Sequence, residues 1–402
     1  MTINRACTLF VSGALAAACV LLLQVSIIFD SFTPNRFAAA LLVLLLLHAA
    51  RYPRLLVNRE AVIYAVLLGY MFLSLLWAPD LMLGMNTLVP GLDFLLTLLL
   101  FGSLVAYHDA SAAVMGALIG FLLGAVAYFR ATHYPLVYPP DFSYNSMANM
   151  YLFGLLVNLL FAWKLGQRLL PILLGVVLLV HIAATTSIKT NLGVLLAALA
   201  ISIFYFRHFV KVFRRTAIIL AVLVGAMAYA VVSNTNLQTR LEGGYNRVAL
   251  GVGVLAARDD AEVKGQGLGL ARRENWKDEG LKGWLVSPVL GTGVEAFRYD
   301  YGITSHSTPV DLLYNFGVVG LALFYAIFGS ITWRLWRARA LGIDGLCAII
   351  FGALACYGFM TLSGTFYYNA FIAAFFGMAL GLLHRQEQAE AVAAGFPLPA
   401  RA

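Results

Sequence analysis

Apolar residues in this chain come in long, nearly unbroken runs, not in the short periods of a soluble strand or helix. The unit to look for is therefore a segment of about 20 residues, enough to cross a bilayer. Such runs lie at 7–29, 37–50, 61–78, 87–107, 111–129 and 146–163, and again at 169–187, 191–206, 216–232, 310–333, 345–363 and 365–383. The pattern predicts an all-α, polytopic integral membrane protein of about twelve transmembrane helices. Because 37–50 is short and 191–206 marginal, eleven or thirteen also fit. The longest polar stretch, 233–309, divides the chain into spans one to nine (1–232), one large and partly helical loop (233–309), spans ten to twelve (310–385) and a tail (386–402). The Ala- and Pro-containing tail reads as a disordered end. Ala16-Ala17-Ala18-Cys19 loosely resembles a lipoprotein cleavage site, but the apolar run continues for ten residues past it, which reads as an uncleaved helix.

Composition agrees with this picture. The chain is 61% hydrophobic and 11% charged, against roughly 25% charged in an average soluble domain, which excludes a soluble globule. Its formal charge of +8 is scattered between apolar runs and not striped along one surface, so no nucleic-acid partner is expected. The basic residues report topology instead. With the amino terminus in the cytoplasm, inner loops and tails hold fifteen of the 27 Lys and Arg residues, short outer loops hold three, and 233–309 holds nine. This excess inside sets the orientation and puts 233–309 on the outer face, which is the periplasm if the source is a Gram-negative bacterium. The four cysteines, Cys7, Cys19, Cys347 and Cys356, lack metal or redox spacing and read as buried thiols. No similarity between halves is visible, which counts against a transporter built from repeats.

Charge is costly in a membrane protein, so its gathering in one loop asks for a reason. The nine basic residues of 233–309 are balanced by nine acidic ones, so bulk attraction is not the mechanism. Local grouping is more informative. In Ala271-Arg272-Arg273-Glu274-Asn275-Trp276-Lys277, a helix would put Arg272, Arg273 and Trp276 on one face. Planar guanidinium groups suit bidentate contact with phosphate oxygens, and the same face would equally suit a solvated helix pairing with Glu274, Asp278 and Glu279. Downstream, Ser287-Pro288-Val289-Leu290-Gly291-Thr292-Gly293 reads as a tight turn. His306, in Thr304-Ser305-His306-Ser307-Thr308-Pro309, stands at the outer mouth of the tenth span. There an imidazole suits proton abstraction from a hydroxyl, or simply a polar interface. His133, Asp141 and Lys189 also lie on the outer side, while Asp93 and His181 fall inside helices. The loop has one Asp-Asp pair, Asp259-Asp260, and no His cluster, so a metal is not expected. Neither a nucleotide phosphate loop nor a Gly-x-Ser-x-Gly elbow occurs.

Taken in order, these elements resemble the O-antigen ligase and polymerase superfamily of bacterial membrane glycosyltransferases. That family's Arg, Trp four residues on, and Pro-led Gly-x-Gly-x3-Phe are similar to Arg272, Trp276 and Pro288 to Phe297. Its His-Asn/Ser element and downstream Gly-x-x-Gly are similar to His306-Ser307 and Gly317-Val318-Val319-Gly320. Asn145-Ser146-Met147-Ala148 resembles its Asn-x-x-Ala, and Ile188-Lys189-Thr190 stands where the family has Ser-Arg-Gly. Lysine there keeps the charge and gives up bidentate geometry. Ser307 replaces the commoner Asn.

The resemblance implies an O-antigen ligase. Such an enzyme transfers O-antigen glycan from undecaprenyl diphosphate to the outer sugar of the lipid A core, among membrane lipids and without nucleotide, metal or other cofactor. His306 would be the general base, and Arg272, Arg273 and Lys189, with Arg247, would receive the departing diphosphate; Arg272 is then catalytic as well. An O-antigen polymerase uses the same donor but often has two long outer loops, where this chain has one. A pilin or protein oligosaccharyltransferase generally carries a longer carboxy-terminal region. A lipid-linked oligosaccharide flippase, from a different class, would line its helical bundle with charge.

Overall fold

The computed structural model describes residues 3–28, 34–51, 54–132, 144–165, 169–184, 187–204, 277–338 and 345–393, together with Gly225. Among them there is no strand. The helices are α1 (Ile3–Ile28), α2 (Pro34–Arg51), α3 (Arg59–Leu73, continued by a 3-10 turn Ser74–Leu76), α4 (Leu81–Tyr107), α5 (Ala110–Thr132) and α6 (Tyr144–Leu165). They are followed by α7 (Leu169–Ala184), α8 (Ile188–Phe204), the short α9 (Ala296–Tyr301), α10 (Thr308–Ala338), α11 (Gly345–Met360) and α12 (Ala370–Ala393). Eleven of the twelve apolar segments fall on these helices, and the other, 216–232, lies outside the described residues apart from Gly225. Among the described residues, five segments are long and apolar enough to cross a membrane: Cys7–Gln24, Arg59–Leu76, Leu81–Tyr107, Thr308–Ala338 and Gly345–Ser363. These are the helices of a membrane-embedded protein.

The largest departures from the boundaries that the apolar runs predict are two. Helix α4 begins six residues earlier than 87, at Leu81, because the Asp80 carboxylate caps it by accepting the Leu83 N–H at 2.9 Å. Helix α12 runs past Gln386 to Ala393, so that part of the expected disordered tail is helical. Of the cysteines, Cys19, Cys347 and Cys356 are buried, whereas Cys7 is exposed on α1. Its place in an apolar run indicates a surface facing apolar solvent as readily as a protein core.

In lipid there is little hydrophobic drive between helices, so close backbone approach through small residues carries the packing. Gly116 and Gly120 of α5 lie directly against the carbonyl groups of Gly13 and Ala17 on α1, leaving no room for a methyl group. On α12, a Cβ at Gly377 would stand 2.6 Å from the Leu98 carbonyl oxygen, and one at Gly381 2.7 Å from that of Gly102, both on α4.

The helices have two chemically distinct ends. At one, Arg334 near the end of α10 donates to Glu60 at the start of α3 (2.8 Å) and to Glu387 of α12 (2.6 Å), while Ser330 donates to Glu60 at 2.7 Å. The opposite end, roughly 40 Å away along α10 at 1.5 Å per residue, gathers the end of α3, the starts of α4, α8, α10 and α12, and the 3-10 turn Thr361–Ser363 after α11. The candidate site lies at this second end.

Candidate functional site

The described part of the polar stretch begins with a helical segment at 277–284 and is closely packed onto the bundle. Helix α10 is broken at Gly317, whose φ of 61° and ψ of −163° are not helical. Backbone groups released there pair with the Pro-led Gly-x-Gly turn. Thr292 and Gly293 donate their N–H groups to the carbonyls of Tyr314 and Asn315, each at 2.9 Å, and Val318 donates to Pro288 at 2.9 Å. Gly291 and Gly317 both have positive φ (73° and 61°), and a side chain at either would collide with the carbonyl of Asn315 or Val289. Glycine is needed at these two positions because backbone meets backbone in a left-handed conformation. Two sequence elements some 25 residues apart thus form one unit. Phe297 completes it: buried on α9, it meets the Tyr314 ring edge-on at 5.2 Å, and its N–H donates to the Asn315 side chain at 2.9 Å.

His306 sits on a sharp bend just before α10, half-buried, with φ of 56°. For a residue other than glycine this conformation is uncommon and is held only by its surroundings, at a cost of roughly 1–3 kcal/mol. Those surroundings are specific. Before the bend, the buried Ser305 donates its hydroxyl to the Ser307 carbonyl at 2.8 Å, and its N–H points to Asp311 at 3.5 Å. After it, Thr308 donates both its N–H (3.0 Å) and its hydroxyl (2.7 Å) to the Gly364 carbonyl, and accepts the Phe366 N–H at 2.9 Å.

Lys189, at the start of α8, reaches the same segment between α11 and α12. Its Nζ lies 3.4 Å from the Ser363 carbonyl oxygen and 5.6 Å from the centre of the Phe366 ring. The structure therefore brings Lys189 and the bend carrying His306 to the two sides of residues 363–366, although 117 positions separate them in sequence. Arg247, Arg272, Arg273 and Trp276 lie outside the described residues, as do His133 and Asp141. Asn145-Ser146-Met147-Ala148 falls in the first turns of α6.

Three polar residues at this end were not singled out by the sequence reading. Asp311, buried in the first turn of α10, accepts the Tyr367 hydroxyl at 2.9 Å and the Asn315 amide at 3.3 Å through one oxygen. An acidic residue within a span, five positions after a candidate base, was the available signal. Asn315 in turn holds the N–H of Phe297. Glu295, inside the Gly-x-Gly-x3-Phe element, is buried in a left-handed conformation (φ 59°), with Oε2 3.9 Å from Arg298 and without a hydrogen-bond partner. Burial raises its pKa above the ordinary glutamate range, against the opposing pull of the Thr87 hydroxyl and the Arg298 charge. Among the described residues, no three His, Cys, Asp or Glu side chains come together as a metal-ligand set.

The arrangement offers an imidazole on a constrained bend, an ammonium group that contacts the same 363–366 segment as Thr308 after the bend, and a turn braced by a broken helix. Chemically it can accept a proton and meet an anion at one end of the helices. Compared with known proteins, the chain matches no family model, and no curated protein matches it significantly.

Proposed function

We propose that the chain is a glycosyltransferase of the O-antigen ligase and polymerase superfamily, acting as an O-antigen ligase in the bacterial inner membrane with its site facing the periplasm. One observation carries the reading. The Pro-led Gly-x-Gly turn and the Gly-x-x-Gly break, two elements of the resemblance, are hydrogen-bonded to one another at the end of the helices where His306 and Lys189 lie. Elements matched only by chance have no reason to meet.

In the reaction, a hydroxyl of the outer core sugar attacks the anomeric carbon of the undecaprenyl diphosphate-linked glycan. The new glycosidic bond forms as the bond to the diphosphate oxygen breaks. His306 takes the hydroxyl proton as general base, and its left-handed bend fixes the ring for that task. The lipid diphosphate leaves with added negative charge, met by Lys189 together with Arg272, Arg273 and Arg247. Both substrates are amphiphiles of one leaflet, so a site at the helix ends suits them. The twelve-span topology, with both termini cytoplasmic and 233–309 periplasmic, belongs to the same reading. It rests on the excess of Lys and Arg in the remaining loops, and it agrees with His306 and the Arg334 cluster lying at opposite ends of α10.

The test is to incubate purified, reconstituted protein with undecaprenyl diphosphate-linked glycan and lipid A core, without nucleotide or added metal. One glycan joined per core supports a ligase. A ladder of lipid-linked chains would identify a polymerase instead, and no product from either acceptor would refute the reading.

A further inference from the structure

The turn at 285–291 carries an unusual combination of features for part of a polar loop. Leu285, Val286, Val289 and Leu290 are all exposed, Val286 to 82%. Yet the turn does not stand clear of the helices. Pro288 and Val289 pair with Val318 and Val319, past the break at Gly317. Gly317 lies nine residues into α10, which is roughly 14 Å along a helix and about half the thickness of a hydrocarbon core. Helix α3 independently puts the contact below the helix ends. The Leu290 carbonyl accepts the Tyr70 hydroxyl at 2.7 Å, and Tyr70 precedes the end of that segment at Leu76 by six residues. Helical side chains lean toward the helix amino terminus, here away from the site end, so the contact lies more than a turn below the end of α3.

We infer that residues 285–291 form a re-entrant segment, dipping into one leaflet beside α3 and α10 with Leu285, Val286, Val289 and Leu290 against lipid acyl chains. Non-helical backbone survives at such depth only where its polar groups are satisfied. Here they are. Leu285, Val286 and Ser287 donate to Lys282, Gly283 and Trp284, Gly291 donates to Ser287, and the Pro288, Val289 and Leu290 carbonyls all accept hydrogen bonds. The occupant is identified by the helix the turn is bonded to: Tyr70, which holds the Leu290 carbonyl, belongs to a membrane-crossing segment whose Phe72, Leu73 and Leu76 are likewise exposed. Lys282 and Glu279 pair with each other at 2.9 Å one turn earlier, where the chain returns to polar surroundings. The inference depends on membrane embedding and not on the proposed reaction. An amphiphile lying in this leaflet would reach the Gly-x-Gly turn sideways.

In a Cys7→Ser background, Val286→Cys and Val289→Cys are each labelled with an environment-sensitive fluorophore, with Leu73→Cys as the lipid-facing reference. The full chain is reconstituted into phosphatidylcholine vesicles containing nitroxide-labelled lipids. The expected result is blue-shifted emission at both positions and quenching by nitroxide lipid comparable to that at Leu73. Water-like emission quenched by iodide instead would overturn the inference. Blue-shifted emission untouched by nitroxide lipid would overturn it too, because protein, whether this chain or a second copy, would then cover the turn.

Discussion

Thr308 and Gly364 are joined twice: the backbone N–H and the side-chain hydroxyl of Thr308 both donate to the Gly364 carbonyl oxygen, at 3.0 and 2.7 Å. This double bond of contacts clamps the start of α10 to the segment that also holds Lys189, and so fixes the bend at His306 from below. The same hydroxyl accepts the Phe366 N–H. Thr308→Val should therefore leave a buried amide without a partner and cost about 1–3 kcal/mol in stability. Thr308→Ser should retain most of it. Thermal unfolding in nanodiscs measures the difference, and glycan transfer should fall further in the Val variant than in the Ser variant.

Gly291 and Gly317 make the second close approach. Gly317→Ala and Gly291→Ala each add a methyl group in a left-handed conformation and against a carbonyl, and should destabilise by more than about 1 kcal/mol. Gly329, also on α10, has nothing within 4 Å of its would-be Cβ. Gly329→Ala should be neutral or stabilising by up to about 1 kcal/mol. Denaturation curves for the three variants separate strain at the break from a general effect of lost glycine.

Glu295 sets a pH dependence whose sign follows from burial. Its folded-state pKa is raised above the ordinary 4.5, so the folded protein holds that proton more tightly than the unfolded chain does. The contribution is fully favourable below 4.5 and is lost as pH rises through the folded value. Glu295→Gln should remove this fall, leaving the variant at least as stable as the parent at neutral pH. Melting temperatures measured upward from pH 4.5 check it. A parent protein that gains stability over that range relative to the variant would contradict the burial argument.

Lys189 tests whether charge alone suffices beside Ser363. Lys189→Ala should lower transfer on the order of 10² to 10³-fold, as for loss of a preorganised contact to a developing anion. Lys189→Arg should retain activity if only the charge matters. A severe loss in the Arg variant would mean that the space above the Phe366 ring is shaped for an ammonium.

Much of the scaffold is legible in the sequence because membrane solvent imposes so simple a rule. An apolar run long enough to span needs an internally bonded backbone, so α1, α10 and α11 can be read almost directly. The rule fails where something other than apolar length decides. Asp80 starts α4 before its apolar run because a carboxylate cap needs no hydrophobicity. Helix α12 continues through Arg385, Gln386 and Glu387 because these are good helix formers and Glu387 is anchored by Arg334. The site was legible as elements and not as geometry. Gly317 reads as one more small residue in a span, since nothing in the sequence announces that the helix opens there to receive Gly291. Asp311 looks like an isolated intramembrane acid until Tyr367, 56 positions away, is brought to it. In the polar loop the turn at Ser287 to Gly293 was legible from its Pro and Gly, but its docking on α3 and α10 was not, because that rests on backbone contacts with residues far away in the chain.

In the proposed reaction, proton transfer depends most directly on the imidazole of His306. Transfer of lipid-linked glycan to lipid A core by His306→Ala, compared with the parent at equal amounts of folded protein in the membrane, measures its role. Loss of transfer with an unchanged melting temperature is the expected result. Full transfer by the variant would contradict the assignment of the base and, with it, the placing of the reaction at this end of α10.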